Sequence, residues 1–185
     1  MSERIAVPLP KAYLLLNHGP TVLVSSAHGG RRNVMAAAWS MALDFDPPKV
    51  AVVIDKTTLT RELVDASGEF VLSVPSRRQA AMTLAVGTQS GQEIDKFAGL
   101  GAGGAAASVV GAPLIEDCLA WLECRVIAEP HIQQTYDLFL AEVVAAWADP
   151  AAFSDGRWHF PDAQQRSIHY LAGGSFFTTG DEFQV

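Results

Sequence analysis

Short runs of β-branched and other apolar residues recur along this chain with tight connections between them, and this spacing limits the folds it can adopt. The apolar runs that we interpret as sheet-forming are 21–26, 34–43, 49–54, 69–74, 119–128, 138–147 and 167–171. Runs of this kind, bounded by Gly, Pro and Asp residues, are typical of strands. A doubly wound sheet would need a helix between nearly every pair of strands, so a mainly β, Greek-key antiparallel barrel or sandwich with a few helices fits better.

The segments between these runs supply two helices and several loops. One helix is predicted from Thr58 to Ser67, and another from Arg77 to Val86 with Ser76 as its N-cap and Gly87 as its stop. The prolines of the 46–48 segment lack a donor N–H, so this segment is not expected to continue a sheet. The Gly- and Ala-rich 88–110 segment and the polar 149–165 segment are expected to be largely loop.

Composition indicates one globular domain spanning residues 1–185. Hydrophobic residues make up 49% of the chain and charged residues 18%, which favours a soluble protein with a buried core over disorder. The net charge of −7 disfavours nucleic-acid binding, which needs a basic face. An anionic ligand would therefore have to be held by a local cluster of cations.

The sequence also indicates where such a protein would work. It shows no signal-peptide pattern at its start and no apolar run long enough to span a membrane. Cys118 and Cys124 would lie roughly 20 Å apart on one extended strand, at about 3.3 Å per residue, whereas a disulfide needs Cα atoms within about 7 Å. We therefore expect a cytoplasmic protein with free thiols, and the cysteine and histidine spacings predict no metal site.

The segment from Asp55 to Arg61 combines a lysine, three threonines and an arginine at a predicted helix start. A helix N-terminus presents unpaired N–H groups and the positive end of the helix dipole, and both favour a phosphate. The alternative interpretation is that one threonine caps the helix and the others are solvated. The segment matches neither a P-loop nor a dinucleotide-binding fingerprint, so a nucleotide-like ligand would bind in another way.

Other candidate residues have ordinary structural explanations when each is taken alone. Asn33 follows the Gly-rich 29–32 turn and could bond its own backbone, Trp39 could belong to the core, and Lys96 could be a surface charge. The five histidines and the serines show no triad, metal or nucleophile-elbow spacing, so no catalytic residue is assigned.

Taken in order, several segments resemble the flavin reductase-like family of FMN-binding split barrels, which includes flavoredoxin-type proteins. The resemblance covers most of the chain and depends on the order and spacing of these segments: 20–26, 30–35, 46–54, 56–60, 68–75, 95–97, 112–116, 122–124 and 139–143.

The resemblance implies an antiparallel barrel that forms a homodimer and binds FMN near the dimer interface. It implies that Asn33, Val34, Met35 and Ala36 contact the flavin ring, with Trp39 packed near it. It further implies that Lys56, Thr58 and Thr60 hold the phosphate and that Lys96 adds a cationic contact. The phosphate site inferred from the helix start alone falls on the same residues.

The function implied by the resemblance is transfer of electrons from NADH or NADPH through FMN to free flavin or another redox partner. The alternative is a flavoredoxin-type carrier that takes electrons from another protein and has no nicotinamide site. A non-enzymatic flavin-binding module and a structural barrel without cofactor remain further alternatives. The family histidine that faces the flavin is replaced here by Tyr136, and either Tyr136 or His131 could take its place.

Overall fold

The computed structural model describes residues 4–185 and confirms a mainly β fold. Its strands are β1 (Ile5–Ala6), β2 (Val22–His28), β3 (Arg31–Ala37), β4 (Ser40–Phe45), β5 (Pro48–Val53), β6 (Glu69–Val74), β7 (Gly104–Ala105), β8 (Leu114–Ile115), β9 (Ala120–Ile127), β10 (Leu138–Ala148), β11 (Phe153–Ser154), β12 (Arg157–Trp158), β13 (Ile168–Ala172) and β14 (Ser175–Thr178). The α-helices are α1 (Leu59–Ser67), α2 (Ala80–Thr88), α3 (Lys96–Gly99) and α4 (Pro130–Tyr136), and 3-10 helices span Leu9–Leu15 and Arg77–Gln79.

The main sheet has the strand order β3-β2-β6-β9-β10-β5-β4, with β1 added beside β10. All of its pairings are antiparallel. Its two edge strands, β3 and β4, are consecutive in the chain and are joined only by Ala38 and Trp39. Three Cα–Cα steps of 3.8 Å span at most about 11 Å, so the sheet must curl until its edges meet there. The result is a barrel that is split between β3 and β4.

Hydrophobic side chains fill both faces of the sheet near its centre. Val22 and Val24 of β2 belong to the cluster inside the barrel, with Phe70, Leu72 and Phe139. Leu23, which points to the opposite face, belongs to a second cluster that also contains side chains from α2, α3 and the segment around β8: Val86, Phe97, Leu114 and Ile115. The barrel therefore carries α2 and α3 against its outer side, and this layer forms part of the site described below.

Several predicted elements agree with the structure. The helix predicted over 58–67 is α1, and Thr58 is its N-cap, because its hydroxyl accepts the N–H of Arg61. The strand predicted over 69–74 has the same bounds as β6. The predicted antiparallel pairing of the 119–128 and 138–147 segments is the β9–β10 pair.

Other expectations need correction. Pro48 begins β5 and lies opposite Phe45, because a proline is tolerated as the first residue of a strand. Gly87 does not stop its helix: α2 continues to Thr88, and a Cβ on Gly87 would lie 3.1 Å from the Cβ of Ala36. The glycine therefore permits close packing of α2 on β3. The 167–171 strand is followed by β14, which makes a hairpin.

None of the helices within residues 4–185 has the length and apolar character needed to cross a membrane.

Candidate functional site

A cavity of about 370 Å³ opens where the two edges of the sheet meet. One wall is the β3–β4 junction, a second is α2, and a third is the β13–β14 hairpin. The lining residues are Thr21, Met35, Ala36, Ala37, Ala38, Trp39, Val53, Asp55, Thr83, Leu84, Gly87, Thr88, Tyr170 and Phe176. Most of these side chains are apolar or aromatic, so the cavity suits a flat, largely apolar ligand.

The β3–β4 wall contains part of the predicted ring site. Met35, Ala36 and Trp39 line the cavity, and the small side chains of Ala36–Ala38 leave the backbone of this wall close to any ligand. Val34, by contrast, is fully buried in the cluster beneath α2. Its side chain and that of Asn33 are not part of the lining.

Asn33 instead connects β3 to α1. Its Nδ2 donates a hydrogen bond of 2.9 Å to the hydroxyl of Thr60, and both side chains are buried. Gly91 packs directly on this amide, because a Cβ at that position would overlap the Asn33 oxygen. The structure thus joins Asn33, which the resemblance assigns to the flavin ring, to Thr60, which the resemblance assigns to the phosphate.

The predicted phosphate segment has its hydroxyl groups already engaged. Thr57 donates to the carboxylate of Asp55 at 2.6 Å, and Thr58 caps α1 while donating to the Asp55 carbonyl. Lys56 is different: its side chain is 63% exposed, and its Nζ lies 3.8 Å from the carboxylate of Asp137. Asp55, which directly precedes Lys56, lines the cavity. Any phosphate held here would therefore depend on Lys56 and backbone N–H groups more than on threonine hydroxyls.

Arg61 points inward, although the sequence offered it as a further phosphate contact. Its guanidinium donates to Asp137 at 2.9 Å and to the Gln133 carbonyl at 3.1 Å, and it lies 4.7 Å from the centre of the Phe139 ring. It also pairs with Asp65 within α1. Arg61 thus ties α1 to β10 and to the segment around α4.

Lys96 is buried behind the cavity wall. Its Nζ donates to the carbonyls of Val34 at 3.0 Å and Val86 at 2.7 Å, so it joins β3 to α2. Burial lowers the pKa of this amine to about 8. Lys96 is not in the cavity lining, and its contact with a bound ligand stays a prediction.

The two residues proposed in place of the family histidine lie on α4. The rings of His131 and Tyr136 are 6.3 Å apart and nearly perpendicular. Neither residue lines the cavity, and Tyr136 is largely exposed. The structure therefore does not bring either ring into the candidate site.

Sequence reasoning missed the residues that α2 and the last hairpin contribute to the site. Thr83 lines the cavity, and its buried hydroxyl has no hydrogen-bond partner among residues 4–185. Tyr170 and Phe176 come from β13 and β14. The Gly173–Gly174 pair between two apolar runs is a hairpin signal that could have indicated this element.

A larger cavity of about 840 Å³ lies between the 157–161 and 179–184 segments, with His18 in its lining. It contains none of the predicted ligand-binding residues. Its charged side chains are of both signs: Arg157, Arg166, Asp181 and Glu182. The candidate site is therefore the cavity at the β3–β4 junction.

Comparisons with known proteins agree with the split-barrel fold. The family profile described as "Flavin reductase like domain" matches residues 15–167. The Escherichia coli (strain K12) protein YddH is 46% identical over 183 residues, which cover 97% of each chain. A crystal structure from Shewanella baltica OS155, described as an FMN-binding domain of a flavin reductases-like enzyme, has a TM-score of 0.97 and 49% identity and covers 100% of this chain and 98% of that chain. Flavoredoxin of Desulfovibrio vulgaris (Miyazaki F) has a TM-score of 0.79 and 25% identity and covers 90% of each chain.

Proposed function

Because the chain belongs to the flavin reductase-like family, we propose that it binds FMN in the cavity at the β3–β4 junction and acts as a flavin-dependent oxidoreductase. The observation that carries this proposal is the cavity itself. Its lining joins an apolar wall from Met35 to Trp39 with Asp55, which directly precedes Lys56 and the first turn of α1. In this proposal the ring site lies beside the segment that would hold the phosphate.

The side chains that line the cavity are of the kinds that would bind a flavin ring. Alanine side chains and Gly87 leave flat surfaces on two walls, while Trp39, Tyr170 and Phe176 offer aromatic faces. The unpartnered hydroxyl of Thr83 is available to a polar edge of the ring. Lys56 and the N–H groups of Leu59 and Thr60 would hold the phosphate, since the N–H of Arg61 already bonds the Thr58 hydroxyl.

FMN, when bound, would supply the redox chemistry. The protein's own residues bind and orient it. Trp39, Leu84, Tyr170 and Phe176 would pack against the ring and limit its contact with water, with Trp39 the most exposed of the four at 77%. Asn33 and Lys96 do not line the cavity but support its β3 wall. Asn33 fixes β3 against α1, and Lys96 fixes β3 against α2.

For the electron path, we propose NADH or NADPH as donor and free flavin or another small redox partner as acceptor. A flavoredoxin-type carrier without its own nicotinamide site is the second candidate. It is favoured by the similarity to flavoredoxin and by the placement of His131 and Tyr136 outside the cavity lining.

We further propose that the protein works as a homodimer. The edge strand β4 and the residue before it expose one row of large apolar side chains: Trp39 at 77%, Met41 at 56%, Leu43 at 46% and Phe45 at 62%. We call this row the β4 stripe. Exposed and less exposed residues alternate along β4, which also has a pairing irregularity between Ala42 and Asp44. Exposed apolar patches of this kind mark interaction surfaces. Trp39 also lines the cavity, so a second copy covering the β4 stripe would lie at the mouth of the site.

One experiment tests the cofactor and the electron path together. The protein as purified, reconstituted with FMN where needed, is mixed anaerobically with NADH or NADPH while the flavin absorption bands are recorded. Binding of FMN followed by bleaching is expected. Failure to bind FMN would overturn the proposed site, whereas binding without bleaching by either nucleotide would favour the flavoredoxin-type carrier.

A further inference from the structure

The β13–β14 hairpin follows the residues that the family profile matches, and it reaches the cavity. The family profile ends at residue 167, and the hairpin begins directly after it. The two strands pair with each other and not with the main sheet. Tyr170 and Phe176 nevertheless line the cavity, so its third wall is formed by residues that follow the profile match.

The hairpin is attached at its base to one side of the cavity. The N–H of Tyr170 donates to the hydroxyl of Thr21 at 2.8 Å, and the N–H of Thr21 donates to the Ile168 carbonyl at 2.8 Å. Ile168 is buried, and the ring of His169 bonds the Gly19 carbonyl. These contacts fix the base of the hairpin beside Thr21, which is itself a lining residue.

The turn of the hairpin reaches the other side. A Cβ on Gly174 would lie 3.4 Å from a methyl carbon of Leu84, which places the turn against α2. Leu84 is also a lining residue. The hairpin therefore extends over the cavity from Thr21 to Leu84 and is held at both ends.

The two faces of the hairpin differ in what they contact. Tyr170 and Phe176 lie directly opposite each other in the strand register, with ring centres 5.3 Å apart, so they project on one face. Phe177 pairs with His169 and projects on the other face, where it is 63% exposed. The aromatic ring pair thus turns toward the cavity, while a neighbouring phenylalanine of equal size does not.

We propose that Tyr170 and Phe176 form an aromatic wall that retains the flavin ring, so that FMN is a resident cofactor and not an exchanging substrate. This inference rests on the proposed function. A volume of about 370 Å³ is near the lower end for single-ligand sites, so one bound flavin would fill the cavity and leave no room for a second beside it. An electron acceptor of flavin size would then have to react at the open mouth of the cavity.

The test compares two wall variants with two matched controls on the same hairpin. Phe176→Ala and Tyr170→Ala remove the wall, whereas Phe177→Ala and Leu171→Ala remove exposed apolar side chains that do not line the cavity. The rate constant of FMN release from each holoprotein is measured by the recovery of flavin fluorescence after dilution. We expect each wall variant to release FMN at least tenfold faster than the wild type, and each control to stay within twofold of it.

Other outcomes separate this inference from the proposed function. Wild-type protein that binds no FMN overturns both. Wild-type protein that binds FMN, with wall variants that release it at the wild-type rate, overturns only the aromatic wall, as would an equal acceleration in the Phe177→Ala control. If circular dichroism shows that Phe176→Ala does not fold, Phe176→Leu keeps the apolar volume without the ring and is expected to release FMN at least threefold faster.

Discussion

The side-chain amide of Asn33 donates a 2.9 Å hydrogen bond to the hydroxyl of Thr60, and this pair fixes strand β3 against the first turn of α1. Both side chains are buried, so the bond is shielded from competing water. β3 forms a wall of the cavity that is proposed to face the flavin ring, and the start of α1 is the proposed phosphate site. The Asn33–Thr60 pair therefore sets the relative position of the two halves of the site without touching the cavity itself.

Replacing Thr60 by Val removes the hydroxyl and leaves the Asn33 amide buried without its acceptor. An unsatisfied buried donor costs roughly 1–3 kcal/mol, so the free energy of unfolding is expected to fall by about 2 kcal/mol. Thr135→Val is the control, because Thr135 is an exposed residue of α4 and its loss should change stability by less than about 0.5 kcal/mol. Urea denaturation of both variants measures the difference. Equal stability of Thr60→Val and the wild type would show that the bond is not structural.

Lys56→Ala tests the phosphate site separately from the fold. Lys56 is exposed, so its loss should leave the stability of the FMN-free protein unchanged. A charge-assisted hydrogen bond is worth about 1.5–3 kcal/mol, so we expect at least a tenfold rise in the Kd for FMN. Lys11→Ala is the control, since Lys11 is also exposed and does not line the cavity. Fluorescence titration measures both, and an unchanged Kd in Lys56→Ala would remove Lys56 from the phosphate site.

The sequence predicted those parts of the fold that are marked by local signals. Thr58 and Gly68 mark the two ends of α1, and for that reason its bounds were predictable. The cavity could not be predicted from the sequence, because its lining is assembled from residues far apart in the chain, among them Met35, Thr83 and Tyr170. The sequence also does not show whether a threonine side chain points to the surface or to the interior. The resemblance assigns Thr60 to a ligand, whereas its hydroxyl accepts a hydrogen bond from Asn33 in the interior.

Leu43→Glu tests the proposed homodimer. A charge in the middle of the β4 stripe would be buried without a partner if a second copy covers it, so the mass in solution should shift from dimer to monomer. Leu171→Glu is the control, because Leu171 is similarly exposed but lies on β13 and outside the stripe. Light scattering coupled to size-exclusion chromatography gives both masses. A monomeric wild type, or a Leu43→Glu variant that stays dimeric, would exclude this interface.

Glu123 is a buried carboxylate that fixes the 108–110 segment on the sheet. It accepts the N–H of Val109 at 2.6 Å, the hydroxyl of Ser108 at 2.8 Å and the indole N–H of Trp147 at 2.8 Å. Burial alone would raise the pKa of this carboxyl, but these donors together hold it below its usual value.

Glu123→Gln places an amide group among donors that require an acceptor, so we expect a loss of about 3 kcal/mol in the free energy of unfolding. Glu142→Gln on the exposed side of β10 is the control and should change stability by less than about 0.5 kcal/mol. Denaturant unfolding at neutral pH measures both. Below about pH 4.3 the Glu123 carboxyl binds a proton in the unfolded chain more readily than in the folded protein, so acid destabilises the fold. Glu123→Gln removes this carboxyl and should reduce that loss of stability.

His18 should make the fold sensitive to mild acid. Burial, and secondly the charge of His169, lower the pKa of His18 to about 4, and its ring packs edge-on against Trp158 at 4.9 Å. In the unfolded chain this histidine has a pKa near 6.5. Between these values the unfolded state binds a proton that the folded state does not, so stability is full above about pH 6.5 and falls as the pH drops toward 4.

His18→Phe removes this titration, and the variant should lose less free energy of unfolding than the wild type between pH 6.5 and 4.5. Urea unfolding at the two pH values measures the difference, with His159→Phe as the control at an exposed histidine. Equal losses in the wild type and His18→Phe would show that His18 does not couple folding to protons.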